Sequence, residues 1–493
     1  MVFPVVGGDG KPTGYEIDNS LRFNRGDSPN LEKTFSGSPT STTKCTISFW
    51  TKLADPSDTN AKNIFSAIKS GSNEDCIKFM GVNNGILNNL EFVFNNTSAG
   101  SMMVSNGTTG FIKFRDPTAW YHIVIAIDST QGTASNRVKV YVNGTQRDVE
   151  LRVEGGSQTT DVPLTQNYDL GFLTASKHQI GENVDGSSEH YDGYLSEFYF
   201  VDGQQYAPTV FGETDDNGVW IPKDAKNDIS FGNYGFYMEF KQTGTSANSS
   251  GMGADTSGND NHFAASGLTT LDVTEDTPTN NFATMNPLVS IATLSEGNCK
   301  VVTTNGERMA GASTIGFENG KWYMEYKVTD INSTNMTIGI DNESGLSFSD
   351  FRDNDDFWNA SNAYAYENNG NKRTTSVNSS YGNSYTTGDI IGVAVDMDNR
   401  KIYFSKNGTY QNSGDPTTGS TGTGSAFDLT DGLTYFFQAA DNSSAAGVTL
   451  EANFGNPSFS ISSGNSDGKY GNFEYAPPSG YYALCTKRLA EFG

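Results

Sequence analysis

Cysteine is scarce in this chain: Cys45, Cys76, Cys299 and Cys485 are all it has. They lie far apart and form no CxxC pair, so neither a zinc site nor a disulfide framework is indicated. Histidine is as rare. His122, His178, His190 and His262 show no HxH or HExxH spacing, which removes the common zinc-enzyme patterns. No Gly-x-Ser-x-Gly elbow follows an apolar strand, so the serine-hydrolase signature is missing. Gly-rich stretches such as 419–424 lack the Lys that would meet a phosphate. Basic residues are few, 32 against 57 acidic ones, and the formal charge is −25. A field of that sign repels nucleic acid and anionic membrane, and no basic cluster offsets it. The start has neither a basic n-region nor a long apolar stretch, so no secretory signal and no membrane insertion are expected. No heptad run marks a trimeric stalk.

What the chain has in quantity is aromatic and turn-forming residues. Among its 493 residues are 31 Phe, 23 Tyr, 5 Trp and 54 Gly. That mixture reads as many short strands joined by tight turns. The length predicts more than one domain. Period-two alternation recurs: Cys45, Ile47 and Phe49 against Thr46 and Ser48; Leu90, Phe92 and Phe94 around Glu91 and Val93; Val138, Val140 and Val142 against Lys139 and Tyr141. Residues 120–128 are apolar on both faces, as in a central sandwich strand. Trp322, Met324, Tyr326 and Val328 share one face of a later strand. Two Asn-Gly pairs, Asn143-Gly144 and Asn407-Gly408, close strands with the residues that tolerate the positive φ of a tight hairpin.

The run 388–408, two strand-like stretches joined by Asp396-Met397-Asp398-Asn399 and ending on Asn407-Gly408, resembles the core of a SPRY domain. Residues 448–455 resemble the closing strand of that fold. SPRY domains are β-sandwiches that bind partners through loops and carry no catalytic groups. Earlier in the chain, Thr46-Ile47-Ser48-Phe49-Trp50, Trp120-Tyr121-His122, Val140 to Gly144 and Tyr191 to Phe198 follow one another in the order of a laminin-G-like, concanavalin-A-type jelly roll. The segments 20–29, 255–262 and 275–282 extend the likeness to virion proteins of tailed phages, often marine ones, that join such a jelly roll to a SPRY domain.

The expected fold is therefore all-β: two tandem antiparallel β-sandwiches, loop-rich, with a short C-terminal tail. The expected division is a docking segment at 1–14, a jelly roll at 15–277, an extended linker at 278–287 bracketed by Pro278 and Pro287, a SPRY-like sandwich at 288–456 and a tail at 457–493. The tail reads as folding back on the second domain, with docking on a neighbouring subunit as the alternative. Residues 413–424, rich in Gly and Thr, read as a long mobile loop.

The resemblance implies a non-enzymatic virion surface protein: a fibre, tail-fibre or capsid-decorating component, made in the host cytoplasm and released by lysis. Its partners would be other virion proteins and host-surface carbohydrate or protein, with a homo-oligomer expected. A polysaccharide-degrading tail enzyme and a free cellular lectin are the alternatives. For the enzyme, Glu182, Asp185 and Glu189 come closest to paired carboxylates, but they lie in a Gly/Ser loop without the usual Glu-x-Asp-x-x-Glu spacing. His122 reads as packed in a core strand, and His178 and His190 as surface residues flanking that loop. Sugar recognition needs an aromatic face ringed by fixed polar groups. Asp355, Asp356, Trp358, Asn359 and Tyr364 offer that mixture, although Phe357 and Trp358 could equally plug the sandwich edge while Tyr364 and Tyr366 continue a strand. No organic cofactor is expected. Laminin-G-like domains often hold calcium through loop oxygens, which makes Asp255, Asn259 and Asp260 the candidate ligands, with solvated Asx-capped turns as the competing reading.

Overall fold

Alternation of apolar and polar side chains sets the strands of this protein, seen in a computed structural model. It describes residues 14–81, 87–94, 102–105, 111–151, 164–186, 189–290, 292–303, 311–331, 336–343, 361–375, 377–441 and 447–493. The docking segment expected at 1–14 lies outside the described residues but for Gly14. The described residues divide into two units, 14–279 and 280–493. Both are built of antiparallel sheets.

The first unit begins with β1 (Ser20–Phe23), β2 (Asn30–Thr34), β3 (Lys44–Leu53), β4 (Lys62–Ser70), β5 (Asn73–Phe79) and β6 (Leu90–Val93). It continues with β7 (Met102–Ser105), β8 (Tyr121–Asp128), β9 (Val138–Val142), β10 (Thr145–Leu151), β11 (Lys177–Ile180) and β12 (Gly193–Asp202). Short strands follow: β13 (Gly212–Thr214), β14 (Trp220–Pro222), β15 (Phe236–Met238), β16 (Ala264–Ser266) and β17 (Val273–Thr274). Apart from the β13–β14 hairpin, these strands are hydrogen-bonded in the order β16-β2-β11-β4-β5-β6-β7-β10-β9-β8-β3-β12-β1-β17, with β15 on β12. The two halves of that path face each other across one core. Phe65 of β4 meets Phe198 and Phe200 of β12 with ring centroids 5.8 and 5.6 Å apart.

β9 shows the pattern in its simplest form: Val138, Val140 and Val142 are buried, and Lys139 and Tyr141 are half-buried. Asn143 and Gly144 then turn the chain at φ +47° and +73°, the mirror-image turn that matches strand twist. β8 is buried on both sides because a second apolar cluster, including Tyr199, Val201, Phe211 and Tyr237, covers Val124. Residues 182–184, after β11, pack on the outer face of the half of the path that holds β4, β5 and β6, the front sheet. Ser66 Oγ donates to the Glu182 carbonyl at 2.8 Å and accepts from Val184 N at 3.0 Å.

Lys52 and Asp276, both buried, form an ion pair. Trp120 Nε1 donates to the other Asp276 oxygen at 3.3 Å, and Ser20 Oγ donates to the Asp276 carbonyl at 2.6 Å. Residues 278–287, expected as an extended linker, are in part built into the folded units. Thr279 Oγ1 donates to Ile17 O at 3.0 Å in the first unit. In the second, Ala283 N donates to Leu484 O at 2.9 Å, while Phe282, Ala283 and Met285 are buried. Their apolar side chains make an exposed connector unfavourable.

In the second unit one sheet orders Thr293–Ser295, Lys300–Val302, Val448–Asn453, Lys321–Ile331, Ile390–Asp396, Lys401–Lys406 and Thr409–Tyr410. The other runs from Gly311–Ala312 through Tyr435–Asp441, Met336–Asn342, Tyr364–Glu367 and Asn371–Thr374 to Val377–Ser380. Trp322, Met324, Tyr326 and Val328 point into the core between them. Asn407 and Gly408 turn at φ +48° and +77°. The tail packs on the opposite face of the first of these sheets. Phe473, Tyr481, Ala483 and Cys485 cluster there with Tyr323, Ala394 and Tyr403. Tyr482–Ala483 pairs in parallel with Trp322–Tyr323, and the helix Thr486–Phe492 ends the chain. The stretch 413–424 is not a free loop. Asp415 caps the 3-10 turn Pro416–Thr421 by accepting from Thr417 N at 2.9 Å, and the Pro416 carbonyl accepts from Tyr481 OH at 3.0 Å.

Removing one partner of a buried ion pair leaves the other charge uncompensated. Lys52→Ala is therefore expected to destabilise the first unit by about 3–5 kcal/mol. A denaturant melt that shows less than about 1 kcal/mol of change would contradict that role.

Candidate ligand-binding groove

Period-two geometry places Leu31, His178 and Ile180 towards the core and turns Asn30, Glu32, Lys177 and Gln179 outwards. β11 pairs with β2 and β16 pairs with β2, so these outward residues meet Ala264 and Ser266 across neighbouring strands. The result is an open groove of about 380 Å³ lined by Asn30, Glu32, Lys177, Gln179, Glu182 and the small residues Gly186 and 264–266. Gln179, at its floor, is 4% exposed. Its Nε2 donates to Glu32 Oε2 at 3.1 Å and to Glu182 Oε2 at 3.2 Å. Asn30 Nδ2 donates to the same Glu182 oxygen at 2.7 Å. The Gln179 Oε1 atom is buried without a donor. Lys177 Nζ stands 3.8 Å from Glu32 Oε2, and His190 Nδ1 stands 3.9 Å from Glu182 Oε1.

Of the carboxylates singled out in the loop, Glu182 belongs to this groove. Glu189 instead pairs with Lys78 at 2.9 Å and accepts from Asn183 at 3.3 Å. Asn183 also donates to Glu74 at 2.9 Å. Asp185 is the third residue of the turn closed by Gly186 N on the Asn183 carbonyl. The loop is thus fixed by its own polar contacts with the sheet rather than left without geometry.

The other expected site residues go elsewhere. Asp355, Asp356, Trp358 and Asn359 lie outside the described residues. Tyr364 is an inward position of its strand, buried against Phe427 and Tyr435, with its hydroxyl 3.2 Å from Thr430 Oγ1. It serves the core, because the strand's alternation turns it away from the surface. The calcium candidates do not converge. Asp255 uses both oxygens to accept from Tyr237 N, Ser257 N, Ser257 Oγ and Asn261 N at 2.8–2.9 Å. Asn259 donates to the carbonyls of Gly232 and Gly235, and the Asp260 side chain is 89% exposed beside His262. The three residues brace a turn. Among the described residues no group of three His, Cys, Asp or Glu side chains is placed to hold a metal ion.

Two histidines are fully buried. His178, expected at the surface, faces the core with its nitrogens 3.0 Å from the carbonyls of Ser176 and Phe172, and burial pushes it down to about 4. Its inward position on β11 follows from the alternation that exposes Lys177 and Gln179. His122 stacks between Trp50 and Trp220, and burial pushes it down to about 3. Trp220 Nε1, a donor only, bonds His122 Nδ1 at 2.9 Å. The neutral ring therefore carries its proton on Nε2, 2.9 Å from Ser48 Oγ. In that tautomer His122 cannot take a proton from Ser48, so the pair lacks the geometry of an activated nucleophile.

Burial also raises three carboxyls to about 7: Glu74, Glu197 and Glu325. Glu197 sits at a bulge between β3 and β12 with φ +51° and accepts from Tyr199 OH at 2.9 Å and Tyr237 OH at 2.6 Å.

A family model described as the concanavalin A-like lectin/glucanases superfamily matches residues 30–211, and the SPRY domain model matches residues 321–455. No curated protein matches the chain. Among solved structures, the SPRY domain of human HERC1 is 18% identical and covers 31% of this chain and 86% of its own, with a TM-score of 0.24. A native heptameric SAP-like pentraxin from Limulus polyphemus is 19% identical over 39% of this chain and 80% of its own, with a TM-score of 0.26. A human SPRY domain is 15% identical over 31% and 93%, with a TM-score of 0.20. The first unit is thus similar to concanavalin A-like domains and the second to SPRY domains, each over part of its length.

A carboxyl raised in the folded state stabilises below its unfolded value and loses that contribution as pH rises through the folded one. For Glu197 the window runs from 4.5 to about 7. The change in first-unit stability between pH 5 and pH 8 should therefore shift by roughly 2–3 kcal/mol in Glu197→Gln, in the direction of a more stable variant at pH 8. Chemical unfolding at the two pH values checks this, and an unchanged difference contradicts it.

Proposed function

We propose that this chain is a surface protein of a tailed-phage particle that adheres by binding a host-surface glycan, without turning it over. The reading is carried by the groove of the first unit. There, planar polar side chains are held in place on a sheet beside an open groove. Sugars are recognised by such prepositioned groups, because a ring of hydroxyls is satisfied only by acceptors and donors already in position. The similarity of residues 30–211 to concanavalin A-like lectins and glucanases and of residues 321–455 to SPRY domains supports a binding or adhesion module. The locked tautomer of His122 supports binding over hydrolysis by that pair.

The charge of −25 disfavours anionic capsules and directs the reading to neutral or basic glycans. Many copies on a particle would convert modest single-site affinity into firm attachment. In this reading the second unit contacts neighbouring virion subunits.

Incubation of the protein with neutral bacterial polysaccharides should give retention on the polymer and no new reducing ends. Release of reducing sugar would establish turnover and overturn the binding-only reading. Antibody labelling of purified particles tests the setting: label on the particle supports it, and label confined to the cell contradicts it.

A further inference from the structure

The β13–β14 hairpin has two unlike faces. Trp220 points inwards, where its ring lies against Gly144 and Gly212 and its Nε1 donates to His122. Alternation then turns Val219 and Ile221 outwards, together with Glu213 and Asp215 on the paired strand. Val219 is 56% exposed. The turn holds it in place, because Asp215 accepts from Asn217 N at 2.9 Å and from Val219 N at 2.7 Å. Asp216 stands exposed at the tip. An apolar side chain fixed among carboxylates has the anatomy of a protein contact: an apolar centre, a polar rim and little freedom left to lose.

The C-terminal tail presents the opposite chemistry. Phe492 is 39% exposed and stacks on Tyr482, with centroids 3.9 Å apart and 7° between the planes. The Arg488 guanidinium lies 4.7 Å from the Tyr482 ring, 5.6 Å from Phe492 and 5.1 Å from Tyr470. Asp467 and Glu491 hold it there, at 2.7 Å each. Lys469 and Lys487 stand over the Tyr470 ring at 4.8 and 5.4 Å. Aromatic rings and Arg are the side chains that interface centres favour. Here they come with cations, on a chain whose formal charge is −25. Two copies of such a chain repel each other except where unlike surfaces meet.

We propose that the outward face of the β13–β14 hairpin of one copy docks on the Tyr482–Phe492 patch of a second copy. Val219 packs against Phe492, and the hairpin carboxylates face Lys469 and Lys487. The contact joins two different faces, so it is head-to-tail and repeats from copy to copy into a ring or a fibre. The inference concerns assembly and does not depend on the groove binding a glycan.

Sedimentation velocity of the full chain over a range of concentrations tests this. The unaltered chain is expected to associate beyond the monomer. Val219→Lys breaks the hairpin face, and Phe492→Ala combined with Lys487→Ala breaks the tail patch. Each variant should weaken association by about tenfold or more. None of the three residues is buried, so circular dichroism and melting temperature should stay unchanged. Asp216→Lys, at the exposed tip, replaces Val219→Lys if that variant fails to fold. Mixed together, the two variants keep one intact face each and should form a pair of chains and stop there. A chain that stays monomeric at every concentration overturns the proposal. So does association that either variant leaves intact, and so does a mixture that forms no pair or grows past two chains. Retention on polysaccharide is measured separately, so a failure of assembly leaves the glycan reading standing, and the reverse holds.

Discussion

A strand that turns every second side chain into a shared core must turn the intervening ones away from it, and both units of this chain rest on that constraint. In the first unit Phe65, Ile77 and Phe92 are core residues of the front sheet, while Ser66, Lys78 and Glu91 belong to its other face. In the second, Trp322 and Met324 face the core and Tyr323 and Glu325 face the tail. The inward residues fix the register, because a slip of one position would exchange the two sets. Outward residues that stay in water are free to vary in chemistry without loss of the fold.

Each unit also covers part of that second face, which imposes a further condition: polar groups placed there lose water and need partners. Glu325 meets the condition fully. It accepts from Glu474 N and Tyr475 N at 2.9 and 2.7 Å and from Asn453 Nδ2 at 3.1 Å, so the tail is joined to the sheet by its own backbone. Asp467 and Arg488 hold the tail to itself, with contacts of 2.7 and 2.9 Å. Gln179 meets it by half. Its donors are satisfied and its acceptor is not, beside an open groove.

Local chemistry was readable in the sequence and tertiary company was not. Asn143-Gly144 and Asn407-Gly408 announce their turns because few other residue pairs accept that backbone. The alternation in 138–142 and 322–328 declares which side chains are buried. His178 could not be placed, since a histidine in Lys-His-Gln-Ile is inward or outward depending only on the register of β11. The 413–424 segment reads as loose because Gly and Thr dominate it, while Asp415 supplies a contact that fixes it; the tail reads as folding back on the second domain, where Phe473 and Tyr481 pack. The groove draws on residues near positions 30, 180 and 265, which only strand pairing brings together. Glu182 was visible as a carboxylate of interest, yet its partners Asn30 and Gln179 carry no local signal of their own.

The most direct test of the account is a crystal structure of the chain with a neutral oligosaccharide bound. The account predicts an intact sugar in the groove, hydrogen-bonded to the polar side chains of β2 and β11. An oligosaccharide bound elsewhere, or a cleaved one, would contradict it.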